Sequence, residues 1–222
     1  MKLQSLLVVG LILLTVSIAI SQERFLVPVD EGTSDATFSV FREKLVTATK
    51  AKDAKYIQSV LDPKIVTDFG GGRGIATFLK YWKRLTPQSD FWSEFLSVIS
   101  NGGTFNTDSK SKQFWAPYAF SSFPDDLDGF EHAAVIGTNV RLRSAPQAES
   151  DIVADLSYNL VKVEFEDPAR SGGKILGWTK IETLGGKKGY VKAEYVRSPT
   201  DYRASFEKKG GFWKMTAFVA GD

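Results

Sequence analysis

Cysteine is absent from the 222 residues, and histidine occurs once, at position 132. Without thiols there is no cysteine nucleophile, no disulfide framework, no iron–sulfur cluster and no thiolate zinc site. A lone imidazole also removes every site that needs two. Strong charge of either sign is lacking too: 28 Lys and Arg face 26 Asp and Glu, a formal net charge of +2. That balance gives no field to draw the chain to nucleic acid or to an anionic membrane surface. No G-x-S-x-G nucleophile elbow occurs, so His132 has no serine partner and reads as a linker histidine. No cofactor or metal is expected, no catalytic residue is nominated, and the chain reads as a non-enzyme. The composition, 43% hydrophobic and 24% charged, is that of a globular chain long enough for one large or two small domains.

One segment stands apart. Lys2 precedes a nearly unbroken apolar run, Leu6 to Ile20 (LLVVGLILLTVSIAI), and small side chains follow at Ala19 and Ser21. A short positive start, an apolar stretch of about 7–15 residues and small residues at a cleavage site make a secretory signal. A membrane anchor needs about 20 apolar residues, and this run falls short. Cleavage is expected after Ser21, so the only membrane contact is through residues 1–21 before cleavage. No cysteine follows the run, so a lipoprotein anchor is excluded, and a thiol-free chain suits an oxidising compartment. The expected location is periplasmic or secreted.

From about Phe38 to Ser100 the period is helical. Phe38, Phe41, Leu45 and Ala48 fall on one helix face. Asp53 caps a second helix carrying Ile57, Val60 and Leu61, which stops at Asp62-Pro63. Ile65 to Phe69 reads as a β-branched and aromatic strand ending in glycine. Ile75, Phe78, Leu79 and Trp82 restore helical spacing until Pro87, and a last helix carries Trp92, Phe95, Leu96 and Ile99 before Asn101-Gly102-Gly103. Thr104-Phe105 and Phe114-Trp115 flank a polar turn, Asp108 to Lys112, as in a hairpin. Tyr118 to Asp128 reads as a linker.

Beyond Glu131 the texture is short strands with turns: Ala133–Gly137, Asn139–Arg143, Ile152–Leu156, Leu160–Phe165, Ile175–Ile181, Gly189–Val191 and Tyr195-Val196. Val161, Val163 and Phe165 alternate, which puts one apolar face inward. Asn139-Val140-Arg141-Leu142-Arg143-Ser144-Ala145-Pro146 resembles the first-strand motif of bacterial SH3 domains. Gly177-Trp178-Thr179-Lys180-Ile181 and Gly189-Tyr190-Val191-Lys192-Ala193-Glu194-Tyr195-Val196 match that family's later strands. The resemblance covers about residues 133–196. Ala145 replaces the usual glycine, and the Asp167–Lys174 loop is longer than usual.

The tail, Tyr202 to Phe206, Lys208 to Gly211 and Phe212 to Val219, is a β-hairpin that must pack on something. The first domain shows too few strands for a stable sheet. The expected class is therefore α+β: a helix-rich N-terminal domain (22–125) completed by the hairpin (200–222), with an SH3-like small barrel (126–199) inserted. The helix pair, strand, helix and closing hairpin also resemble the cone-shaped α+β rolls of the nuclear-transport-factor-like superfamily.

Other motifs yield bland readings. Asp68-Phe69-Gly70 spells a kinase trio without any companion motif. Gly70 to Gly74 with Arg73 is an anion cradle in principle, but reads as a strand-to-helix turn needing positive φ. Asp125, Asp126 and Asp128 lack the alternation of a calcium loop and read as solvated linker. Paired carboxylates would permit glycoside hydrolysis, yet no pair is nominated.

The resemblance implies binding of peptidoglycan peptide or of an envelope protein, with no nucleic acid partner. Aromatic rings on one barrel face are the usual means of holding a peptide, and Arg141 and Arg143 alternate with inward Val140 and Leu142. Arg143, Tyr158, Trp178, Tyr190 and Tyr195 are the candidate ligand-binding residues. The alternative is a small-molecule binder or carboxylate-based hydrolase with a pocket in the N-terminal domain.

Overall fold

Asp35 starts the first helix: its carboxylate accepts the N–H groups of Thr37 and Phe38 at 2.9 and 3.1 Å, a side-chain cap on otherwise orphaned donors. The computed structural model describes residues 22–106, 112–164, 174–175 and 177–221. The expected signal segment (1–21), the tip of the polar turn, Phe165 and most of the long Asp167–Lys174 loop lie outside the described residues. No described helix is long and apolar enough to cross a membrane.

Helix α1 (Ala36–Lys50) buries Phe38, Leu45 and Ala48, the stripe its spacing predicts. Asp53 caps α2 (Ala54–Val60), which passes directly into β1 (Leu61–Val66). The strand thus begins four residues earlier than Ile65. Pro63 is tolerated within it because β1 is an edge strand, where a missing N–H breaks no ladder. Thr67 to Phe69 is turn rather than strand, since Asp68 Oδ1 accepts the Gly72 N–H at 2.9 Å. Helix α3 (Ile75–Tyr81) ends well before Pro87, because Lys83, Arg84 and Leu85 take left-handed φ values of 49, 54 and 56°. Helix α4 (Phe91–Ile99) then leads to the hairpin β2 (Thr104–Asn106) and β3 (Gln113–Ala116). The supposed linker holds a further short helix, α5 (Tyr118–Ser121), with Tyr118 and Ala119 buried.

The chain comes back to this unit only at its end. Strands β12 (Arg203–Lys209) and β13 (Phe212–Val219) complete a five-stranded sheet of order β1-β13-β12-β3-β2, antiparallel except that β1 runs parallel to β13. Trp213, Met215 and Phe218 pack into the helix–sheet core with Phe38, Leu45, Phe91 and Phe95. The core is dense in rings: Phe38 lies 4.3 Å from Phe114 and 4.9 Å from Trp213, and Phe91 stacks on Phe95 at 4.8 Å. Each such pair adds about 0.5–1.5 kcal/mol beyond simple burial. Trp82 and Trp92 belong to this core. All helices of the core lie on one face of the sheet.

Between α5 and β12 the chain builds the second unit from β4 (His132–Val135), β5 (Val140–Arg143), β6 (Ile152–Leu156), β7 (Leu160–Val163), β8 (Lys174–Ile175), β9 (Trp178–Thr183), β10 (Lys188–Lys192) and β11 (Val196–Arg197). Their order is β11-β4-β7-β9-β10-β5-β6, with β8 beside β9. Ala133, Val135, Leu142, Val161, Ile181 and Val191 fill its core. Val161 faces inward as expected, with Val163 packed at the edge of that cluster. Among the described residues the ladder does not close into a barrel: β6 pairs there only with β5, as the far arm of a hairpin, and β11 ends the other side. Gly189 sits where a side chain would strike the Arg143 carbonyl and the Leu142 side chain, so only glycine lets β10 approach β5 so closely.

The segment from Gln22 to Asp30 ties the units together. Leu26 N–H donates to the Tyr158 carbonyl and Leu160 N–H to that of Arg24, at 2.7 and 2.8 Å. Glu23 takes a 2.7 Å bond from the Thr183 hydroxyl. Farther on, Gly103 N–H donates to the Val29 carbonyl. Leu26, Tyr118, Ala119, Ala134 and Leu160 form a small core at the junction. Buried Arg197 adds bonds to Ser97 Oγ and the Tyr202 carbonyl, at 3.1 and 2.6 Å.

Candidate binding face on the second unit

Period-two alternation in β5 sends Val140 and Leu142 into the core and leaves Arg141 and Arg143 outside. The β5–β6 connection is held as a defined arm. Ser144 N–H donates to the Asp151 carbonyl, Ser150 Oγ to the carbonyls of Ala145 and Gln147, and Arg143 Nη1 to that of Ser150 at 2.6 Å. On the opposite side a one-turn 3₁₀ segment, Ala193–Tyr195, presents Tyr195, and Gly177 (φ 81°) turns the chain into Trp178. Trp178 stands across the ladder from Lys192.

These elements enclose a pocket of about 320 Å³ lined by Thr138, Asn139, Val140, Arg141, Arg143, Ala148, Trp178, Lys192 and Tyr195. Trp178 is 8% exposed and forms a fixed wall, whereas Tyr195 is 40% exposed at the rim. Three of the lining side chains are cationic and none is a carboxylate. Arg143 bonds a neutral carbonyl and has no ion pair among the described residues. Asp155 faces Arg141 across the β5–β6 ladder, but among the described residues neither Arg141 nor Lys192 has an ion pair. The pocket therefore offers flat apolar surface beside concentrated positive charge, a setting for an anion-bearing peptide.

Of the sequence candidates, Arg143, Trp178 and Tyr195 converge here. Tyr190 does not line the pocket. It lies on the same outward face one row along, opposite Arg143 and Lys180. Tyr158 is elsewhere, in the β6–β7 turn at φ 59°, where its carbonyl receives the Leu26 N–H. Its phenol is near enough to that of Tyr118 at the junction to disfavour that group's ionisation. The aromatic count alone does not separate these places, because a turn residue carries no strand alternation. Lys192 joins the pocket from the same strand, two residues after Tyr190 and so on the same face. Thr138, Asn139 and Ala148 come from loops, which periodicity does not reach.

A family model for the bacterial SH3 domain matches residues 138–197, the stretch that supplies every wall of this pocket. The chain thus carries a bacterial SH3 domain, inserted between strands of an α+β unit. No curated protein and no solved structure matches the chain.

Proposed function

We propose that this chain is an exported, non-catalytic binding protein of the bacterial cell envelope whose SH3 domain holds a carboxylate-bearing wall peptide or a partner protein carrying such a segment. The observation that carries the reading is the pocket's composition: Arg141, Arg143 and Lys192 around Trp178 and Tyr195, without an acid among them. Peptidoglycan stem peptides bear free carboxylates and short apolar side chains, and both have a counterpart here. The hydrolase alternative asks for a carboxyl kept protonated in a cleft. In the groove on the first unit's sheet, both acids, Asp62 and Glu207, are engaged by Lys209 at 2.9 and 3.7 Å. Burial opposes ionisation of Asp62, but the bond from Lys209 and the Lys64 N–H outweigh it and hold the carboxyl below its ordinary range.

The test is co-sedimentation of the mature protein with purified sacculi. Retention is expected at low salt and should fall as ionic strength rises, since exposed charges are screened beyond about 8 Å at physiological salt. The pair Arg141→Gln and Lys192→Gln, both exposed, should strongly weaken it without altering the thermal melt. Retention that ignores this pair, or none by the unaltered protein at low salt, overturns the wall-peptide reading.

A further inference from the structure

We propose that the face of the five-stranded sheet turned away from helices α1–α4 is a second binding site, taking a small carboxylate-type anion with a flat apolar body. It is independent of the SH3 pocket. Strand alternation turns Phe114, Ala204, Phe206, Met215 and Phe218 toward the helices and leaves Trp115, Arg203, Ser205, Glu207 and Val219 on the other side. A bulge between Met215 and Ala217 adds both Thr216 and Ala217 to that side. The result is a groove of about 570 Å³, within the range of small-molecule sites.

Two elements wall one end. The turn after β1 is closed by the Asp68–Gly72 bond and a Val66–Arg73 bridge, and it carries Phe69 and Arg73 to the groove. This is where the glycine-rich stretch finds its use. Helix α3, seven residues long, has no part in it. Helix α5 brings Phe120. The guanidinium of Arg203, 6% exposed, lies 5.0 Å from the Phe69 ring and 4.6 Å from that of Phe120, and Trp115 stands 5.3 Å from Phe120. Three rings and a fixed cation make a slot for a flat body.

Charge selects the ligand's sign. Four cations and two acids line the groove. Lys209 engages both acids, and the lining as a whole keeps a net positive charge. Lys64 and Arg73 are exposed and have no ion pair among the described residues. On the floor, Ser205 Oγ and Thr216 Oγ1 lie 2.7 Å apart and buried. That contact uses one of their two hydroxyl protons, and the other is available to an acceptor oxygen.

The experiment titrates the mature protein with 2-naphthoate and with its neutral counterpart 2-naphthalenemethanol, by calorimetry and by tryptophan fluorescence. Naphthoate is expected to bind one per chain, about tenfold tighter than the alcohol. Lys64→Ala with Arg73→Ala, both solvent-facing, should weaken the acid about tenfold and leave the alcohol unchanged. Trp115→Phe should remove the fluorescence change but keep the calorimetric signal, and Arg141→Glu in the SH3 pocket should alter neither. Equal affinity for acid and alcohol, no binding of either, or acid binding indifferent to Lys64 and Arg73 overturns the proposal. So does a dimer in sedimentation that Trp115→Glu dissociates, since the face would then belong to a second copy.

Discussion

Tyr118 shows what a single buried hydroxyl does at the junction of the two units. The residue is 2% exposed, and its phenolic oxygen has no hydrogen-bond partner among the described residues. Burial, helped by Tyr158 nearby, pushes its pKa up to about 12. An unsatisfied buried donor costs about 1–3 kcal/mol. Tyr118→Phe keeps the ring's packing against Leu26, Ala134 and Leu160 and removes that cost. The expected outcome is a gain of about 1 kcal/mol in denaturant unfolding, with an unchanged slope. A loss of stability would show that the hydroxyl is satisfied in solution.

At the scale of elements, α1 depends on its cap. Besides the two backbone donors, Asp35 accepts from the Thr37 hydroxyl at 2.7 Å and from Lys112 Nζ at 3.0 Å. The Thr37 bond acts most, slight burial opposes it, and Lys112 and the Phe38 N–H add to it, holding the carboxyl far below the ordinary range. A depressed folded-state pKa means the stabilisation is complete above the unfolded value of about 4 and is lost as pH falls toward the folded one. Asp35→Ala should therefore cost about 1 kcal/mol at neutral pH, with the difference from the unaltered protein shrinking below pH ~4. Chemical unfolding across pH checks both parts. Caps and inward stripes such as Phe38–Leu45 were legible in the sequence because they are set by neighbours within a few residues. The start of β1 was not. Leu61 is a strand residue because Met215, far along the chain, lies beside it.

For the whole molecule, the question is what couples an inserted domain to its host. The insertion's ends lie side by side, since β11 pairs with β4 through Val196–Val135 and Arg197–Ala134, so the host chain leaves and re-enters at one place at little structural cost. The coupling comes from the segment 22–30, whose Leu26 fills the junction core. Leu26→Ala should cost about 3 kcal/mol. It should also split one calorimetric transition into two, as the domains begin to unfold separately. A single transition with a lowered midpoint would mean that Arg197 and the shared backbone suffice to couple them. Nothing local in Glu23 to Leu26 marked it as a tie, because the bonds of Glu23, Arg24 and Leu26 run to residues more than a hundred positions away.

Sequence alone determined the thiol-free chemistry, the change from helical to strand texture, the SH3 motifs and the α+β class, all of which follow from composition or from spacing over a few residues. It also placed Arg143, Trp178 and Tyr195 among the residues that meet in one pocket. Tertiary structure decided the rest: that the sheet of the second unit stays open at β6, that Tyr158 serves the junction, that Lys192 joins the pocket, and that the sheet's free face carries a charged groove. Each of these depends on which distant strand becomes a neighbour. That choice is made by the burial of whole faces rather than by any run of adjacent residues.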